Sequence, residues 1–370
     1  MPKLSQLLPL SLLVLFFIIP TGLTAGEEIQ KTEGVLGEAP FEIAWKAETP
    51  FPTRVVLYCH GFIPAEFPVE SYLPASKEPY RTFIEEGWAV AASAYRRNGP
   101  IIQDAMLDTL KLLDHVEKTY GKPERVLLLG SSMGGAISLL LLEGNPQRFD
   151  GALILGRGLE FREEDEMLPF HHSPEDPILL LTNQTEEEAP RAYQQAVAPE
   201  NPFRPALWVV QTDGHIHFTN GEYREAAYGI LDWMHGHRRK PAPEKRFHIP
   251  PQIPETEVVF SEDETSAQSR VSDTNPTYGN IELQISRKDL SRLGLSQGET
   301  FFLRLGDQPD ILEIPWVTTY NDVAVGEFLA FINEFGLLQV AINYEHLANK
   351  LGIAIGDQAH LFSRHPPEME

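Results

Sequence analysis

The chain has 370 residues, 42% of them hydrophobic and 22% charged, which excludes collagen-like, coiled-coil and wholly disordered classes. Acidic residues outnumber basic ones 53 to 30, for a formal charge of -23, so neither a nucleic-acid partner nor a polybasic hold on an anionic membrane is expected. The single cysteine, Cys59, excludes an internal disulfide, a four-cysteine zinc site and a CxxC redox motif.

Residues 1–25 read as a secretory signal: Lys3 supplies the positive start, an apolar run covers 7–19, and Pro20 precedes small residues up to Ala25 and Gly26. The run is short against the about 20 residues of a membrane span. The expected destination is secreted or periplasmic, with a retained N-terminal anchor as the alternative and no membrane association of the mature form.

Between 26 and 240, short apolar runs alternate with amphipathic stretches. Runs at 54–59 (RVVLYC), 88–92 (WAVAA), 126–130 (VLLLG), 152–156 (ALILG), 178–181 (ILLL) and 207–210 (LWVV) suit strands covered on both faces. Ile102, Ala105, Met106, Leu110, Leu113 and Val116 repeat at helical spacing. The pattern predicts an α/β fold with a doubly wound, mostly parallel sheet. Residues 241–276, rich in proline and acidic residues, read as a linker, and 277–370 as a small domain of short strands.

Gly130-Ser131-Ser132-Met133-Gly134 matches G-x-S-x-G between a buried strand and an amphipathic helix. That context forces a sharp turn which exposes the serine oxygen, making Ser132 the candidate nucleophile. Acyl transfer needs two N–H donors for the oxyanion, and the expected ones are those of Met133 and of Phe62 in YCHGF after the first strand. His60 is read as a structural turn residue and Cys59 as a small buried hydrophobe.

In such folds the acid and the base follow the serine in chain order. After ILLL come Glu186, Glu187 and Glu188; Glu186, four residues before Pro190, is the preferred orienting acid and Glu187 the alternative. After LWVV, Gly214-His215 is the expected place of the general base, with His217 as the runner-up. A zinc site built on His215 and His217 would need His171, His172 or His235 as further ligands and is not expected. No cofactor and no metal are expected. His171 and His172 are read as surface loop.

The stretches VVLYCHGF, AASAYRRNGP, RVLLLGSSMGGAISLLLLEGNPQRFDGALILG and GHIHFTNGEYREAAYGILDWMHG resemble the secreted α/β-hydrolase superfamily of esterases and peptidases. The resemblance spans roughly 35–240 and implies a carboxylesterase-like serine hydrolase with Ser132, His215 and the Phe62 and Met133 amides in their usual roles. It departs in the acid, where glutamate replaces the commoner aspartate. GHIHFT resembles the GHCxFT segment of some secreted members, which favours His215. Relatives often insert a helical cap where this chain has only 157–177, so a small acidic lid (FREEDEMLPFHH) and an open site are expected.

The remainder resembles the C-terminal β-barrel of the S-adenosylmethionine hydroxide adenosyltransferase and fluorinase family. Tyr278-Gly279-Asn280, Thr319-Tyr320-Asn321-Asp322-Val323, Gly326-Glu327, Ala341-Ile342-Asn343 and Gly356-Asp357 carry that likeness. The arginine often found before Asn343 in that family is missing and no aspartate-bearing N-terminal domain of that family is recognised. Adenosyl chemistry is therefore not expected, and the barrel is read as a structural or binding appendage. The leading expectation is cleavage of an ester, with thioester or amide as lesser options, on a small or polymer-borne acyl substrate. The alternative is a binding or scaffolding protein with an idle hydrolase domain and a nucleoside-like or surface ligand on the barrel. Oligomeric state is left open.

Overall fold

The computed structural model describes residues 29–71, 73–156, 159, 162–163, 166–167, 169–235, 240–248, 254–276, 278–318, 320–333 and 335–366. The expected signal segment and parts of the expected lid (157–158, 160–161, 164–165 and 168) lie outside the described residues. No helix among the described residues is long and apolar enough to cross a membrane.

The first part of the chain holds β1 (Ile29–Leu36), β2 (Ala39–Lys46), β3 (Arg54–Cys59), α1 (Tyr80–Glu85), β4 (Ala89–Ser93), α2 (Ile102–Tyr120), β5 (Arg125–Ser131), α3 (Met133–Gly144) and β6 (Gly151–Leu155). A short ribbon of β7 (Arg162–Glu163) and β8 (Glu166–Met167) precedes β9 (Ile178–Asn183), α4 (Glu188–Ala196), β10 (Ala206–Val210), α5 (Asn220–Met234) and β11 (Glu244–Phe247). One sheet runs in the order β1-β2-β4-β3-β5-β6-β9-β10-β11. β1, β2 and β4 pair antiparallel, and from β4 to β11 every pairing is parallel. This is the mixed, mainly parallel sheet of the α/β-hydrolase fold.

Side chains alternate across a strand, so a sheet covered on both faces needs apolar residues at consecutive positions. Val55, Leu57 and Cys59 of β3 join one core with Leu112 of α2, Ile137 of α3 and Tyr193 of α4. Val56 joins the other with Phe83 of α1 and Ile230 of α5. Burying each such aliphatic side chain stabilises the fold by about 1.5–3 kcal/mol before entropic costs. The consequence for the site is directional: β5, β9 and β10 are parallel, so their C-terminal ends open onto one edge of the sheet.

The stretch 241–276, expected as a linker, instead carries strands. β11 extends the sheet beside β10, and β12 (Val259–Phe260) and β13 (Ser266–Thr274) begin the second unit. β11 and β13 escaped a hydrophobic reading for physical reasons. β11 (EKRF) is an edge strand with one sheet neighbour, and it buries Phe247 only partly, against Trp208. β13 turns Ala267, Ser269 and Val271 inward, and small inward residues leave little apolar signature.

The second unit continues with β14 (Ile281–Ser286), α6 (Arg287–Arg292), β15 (Thr300–Leu305), β16 (Leu312–Pro315), β17 (Phe328–Ile332), β18 (Leu337–Ile342), α7 (Leu347–Leu351) and β19 (Gln358–Phe362). Its antiparallel order is β16-β15-β19-β13-β14-β18-β17. The two ends approach where Trp316 bridges to Ala330 and the Val317 N–H donates to the Ala330 carbonyl at 2.8 Å, leaving a nearly closed barrel. Phe301, Leu303, Leu305, Leu338 and Val340 fill its centre.

The barrel rests on the C-terminal edge of the first sheet. Arg287 donates to Asp213 at 2.7 Å, and the rings of Phe62 and Tyr344 stand 4.5 Å apart. The rings of Phe67 and His346 stack at 5.5 Å.

Candidate active site

β5 runs out at Ser131, and Ser132 turns the chain into α3 with φ 53° and ψ -124°. That left-handed φ is strained for any residue with a Cβ, and it persists where the surroundings over-determine it. The two flanking glycines explain how. A Cβ on Gly130 would lie 2.3 Å from the Gly134 carbonyl oxygen, and one on Gly134 would lie 1.9 Å from the Cys59 carbonyl oxygen. Strand β5, helix α3 and strand β3 therefore meet at backbone distance. The Ser132 N–H donates to the Leu155 carbonyl at 3.0 Å and its own carbonyl accepts from Gly135 at 2.7 Å, which anchors the turn.

His215 lies in the loop after β10. Its Nε2 is 2.9 Å from Ser132 Oγ and its Nδ1 is 2.6 Å from Glu186 Oε1. The only assignment that satisfies both contacts for a neutral imidazole and an ionised carboxylate has Nδ1–H donating to Glu186 and Nε2 accepting from the serine hydroxyl. Glu186 sits in a single 3-10 turn after β9 and is 2% exposed. Among the described residues its Oε2 has no hydrogen-bond partner, a feature of the kind tolerated at functional sites.

Of the sequence candidates, Ser132, Glu186 and His215 are thus brought together. Glu187 is not: its carboxylate accepts from Arg246 at 2.8 Å and faces Arg191 at 3.6 Å, away from His215. His217 is also elsewhere. Its N–H donates to Asn183 Oδ1 and its carbonyl accepts from Asn183 Nδ2, both at 2.9 Å, and its ring meets Phe335. Asn183, fully buried, clamps the histidine loop to the end of β9. Sequence reasoning missed it. A buried asparagine closing an apolar strand was the available signal, because such a group needs partners at both ends of its amide.

Met133 buries its side chain under α3, and its N–H, in the first turn of that helix, has no intrahelical partner. Gly61 backs directly onto Ser132: a Cβ there would lie 3.1 Å from Ser132 Cβ. Phe62, the next residue, lines the same cavity as Ser132.

His60 is half-buried, its Nδ1 bonded to the Gly61 carbonyl at 2.7 Å and its ring stacked on Tyr95 at 4.0 Å. Desolvation lowers its proton affinity, so it shapes the loop as a neutral ring. Burial pushes the Cys59 thiol up to about 11, and a thiolate is absent at neutral pH. His171 and His172 lie in a loop, where both backbone N–H groups donate to Glu143. Among the described residues no three His, Cys, Asp or Glu side chains are placed to share a metal ion.

The expectation of an open site is corrected. Ser132, Glu186 and His215 line a cavity of about 400 Å³ whose far wall is the barrel, through Tyr278, Asn280, Tyr320, Asn343 and Tyr344. These residues come from three barrel loops, and no local pattern in the sequence places them over a serine more than 140 positions earlier.

Residues 276–360 match the SAM hydroxide adenosyltransferase C-terminal domain family. An o-phthalyl amidase of Xanthobacter agilis is 37% identical over 79 residues, a stretch that covers 20% of this chain and 17% of that protein. Among solved structures, a putative dienelactone hydrolase of Klebsiella pneumoniae is similar at 14% identity and a TM-score of 0.45, covering 57% of this chain and 100% of that one. A Pyrococcus furiosus esterase is similar at 16% identity and a TM-score of 0.37, covering 50% and 81%.

Proposed function

We propose that this protein is a serine hydrolase that cleaves a small carboxylic ester through an acyl-enzyme, with Ser132 as nucleophile, His215 as base and Glu186 as orienter. One observation carries the reading: an unbroken hydrogen-bond chain from Ser132 Oγ through His215 to a buried carboxylate, 2.9 and 2.6 Å long, at a strained turn over a helix N-terminus.

The chemistry follows from the geometry. His215 Nε2 takes the hydroxyl proton as Ser132 Oγ attacks the carbonyl carbon, and the imidazolium that forms is held by the Glu186 carboxylate. The N–H groups of Met133 and Phe62 receive the oxyanion, and the aligned peptide dipoles of α3 favour its charge. Collapse breaks the bond to the alcohol, which leaves with the proton from Nε2. Water then repeats the sequence and releases the acid. Amide cleavage uses the same steps with an amine as leaving group, and the partial likeness to o-phthalyl amidase keeps amides among the substrates to test.

The barrel supplies one wall of the site, and 1–25 acts as an export signal. The test is labelling with a fluorophosphonate probe, followed by ester hydrolysis. Wild-type protein is expected to be labelled at Ser132, and Ser132→Ala to be unlabelled and inactive with unchanged circular dichroism. A fully active, folded Ser132→Ala would overturn the assignment.

A further inference from the structure

We infer that the barrel wall is the specificity element of this enzyme and that it selects esters of a flat, uncharged aromatic acid. The inference rests on the serine-hydrolase reading above and extends it to the substrate.

The wall is rigid before any ligand arrives. Tyr344 holds a left-handed φ of 66°, and its neighbour Asn343, buried, donates through Nδ2 to the Val323 carbonyl at 3.0 Å. The Asn343 N–H donates to the Glu327 carbonyl at 2.9 Å, and its carbonyl accepts from Gly326 at 2.8 Å. The 278–280 loop is equally fixed. A Cβ on Gly279 (φ 71°) would lie 2.1 Å from His346 Nδ1, and Asn280 Nδ2 donates to the Tyr320 hydroxyl at 2.6 Å. Such pre-organisation is what lets a pocket discriminate by shape.

The positions are specific to the chemistry. The Tyr344 ring packs at 4.5 Å and 57° against Phe62, whose N–H is the assigned oxyanion donor. The Tyr320 ring stands edge-on to His215 at 6.5 Å. Both tyrosines line the cavity that holds Ser132, so they wall the space open to an acyl group attached to it. Tyr58 and Tyr80 continue the aromatic surface from the sheet side, their own rings 5.0 Å apart. Aromatic faces favour a flat ring in stacked or edge contact over an aliphatic group of equal size.

Charge narrows the class. No lysine or arginine is among the described residues lining the cavity, so none of these residues offsets a substrate carboxylate. Of the two carboxylates among the described lining residues, Glu345 pairs with Lys350 and Glu186 is buried behind His215, which binds its Oε1, so neither is presented to an ammonium substrate. Tyr278 and Tyr344 stay neutral: Tyr278, on the pocket rim, is pushed up to about 12 by desolvation and by Tyr58, and burial raises Tyr344 as well. A cavity of about 400 Å³ is near the small end of ligand pockets, about 300–1,000 Å³, and suits a single ring.

The experiment uses the full-length protein and ethyl esters, with acid release followed by pH-stat. The panel is ethyl benzoate, ethyl cyclohexanecarboxylate, the monoethyl ester of phthalic acid and ethyl betaine, whose acyl group is cationic. Wild-type kcat/KM is expected to favour benzoate by about 10-fold or more over each of the others. In Tyr344→Leu the ratio of benzoate to cyclohexanecarboxylate is expected to fall towards one, through a raised KM, and in Tyr344→Phe to stay. Fluorophosphonate labelling of Ser132 with no ring preference overturns this inference and leaves the hydrolase reading standing. A preference for the phthalate or betaine ester, or a ring preference untouched in Tyr344→Leu, also overturns it. Absence of labelling in wild-type protein overturns both.

Discussion

Replacing Glu186 by glutamine removes one charge and keeps the size of the side chain. The carboxylate lies 2.6 Å from His215 Nδ1 and its side chain is 3% exposed. When Ser132 transfers its proton, a unit positive charge appears on the imidazole beside it. Charge centres about 4 Å apart at an effective dielectric of about 20 attract by about 4 kcal/mol. The glutamine amide loses that attraction and can also donate to Nδ1, which would place the imidazole proton on the wrong nitrogen. A barrier raised by about 4–5 kcal/mol lowers kcat by about 10³–10⁴, and the matching exchange in serine proteases costs about 10⁴. Glu187→Gln is the control. Its carboxylate pairs with Arg246 and Arg191 near the surface, and the expected change in kcat is within about 3-fold. The assay is steady-state hydrolysis of a chromogenic ester, with active sites counted by probe titration. A Glu186→Gln enzyme within 10-fold of wild type, or an equal loss in Glu187→Gln, would refute the assignment.

Three further outcomes follow from the structure. Gly134→Ala would put a methyl 1.9 Å from the Cys59 carbonyl oxygen, a backbone atom that cannot yield, so a loss of at least about 4 kcal/mol in denaturant unfolding is expected; an unchanged midpoint would contradict the packing described. Asp176 is raised to about 6 by desolvation, with Asp150 and Glu175 adding to it. A raised carboxyl binds its proton more tightly in the folded state, so the folded form is penalised as pH rises from about 4 through 6. Two pH units correspond to about 3 kcal/mol, reduced to about 1 kcal/mol by solvent at a half-exposed group. Asp176→Asn should therefore stabilise the protein at pH 8 and not at pH 4, and melting curves showing the reverse would reject this. His60 has the opposite sign of linkage. Its lowered folded-state affinity contributes stability above the ordinary value of about 6.5 that is lost as pH falls. His60→Phe should flatten the fall in Tm between pH 7 and 5, and a fall as steep as that of wild type would discount the role of this ring.

Much of the first unit was readable because its physics is local. Strands covered on both faces require runs such as RVVLYC and VLLLG, and the observed β3 and β5 coincide with those runs or extend them by a residue. The Ser132 turn was readable for the same reason, since G-x-S-x-G between strand and helix demands glycines where three backbones meet. β1, β11 and β13 were not, because edge pairing and small inward residues use backbone hydrogen bonds more than apolar side chains. Nor could spacing alone separate Glu186 from Glu187: one residue of rotation in a turn sends one carboxylate to His215 and the next to Arg246.

The sequence by itself determined the parallel sheet and the serine turn, and it limited the acid and the base to a few neighbouring residues. Each depends on residues within a few positions of one another. Only the tertiary structure decided which glutamate reaches the histidine and what covers the serine. The far wall comes from barrel loops at 278–280, 320–322 and 343–345, and no period or motif near residue 132 carries information about their docking. That docking depends on contacts such as Phe62 with Tyr344 and Asp213 with Arg287, which join residues far apart in the chain and exist only once both units have folded.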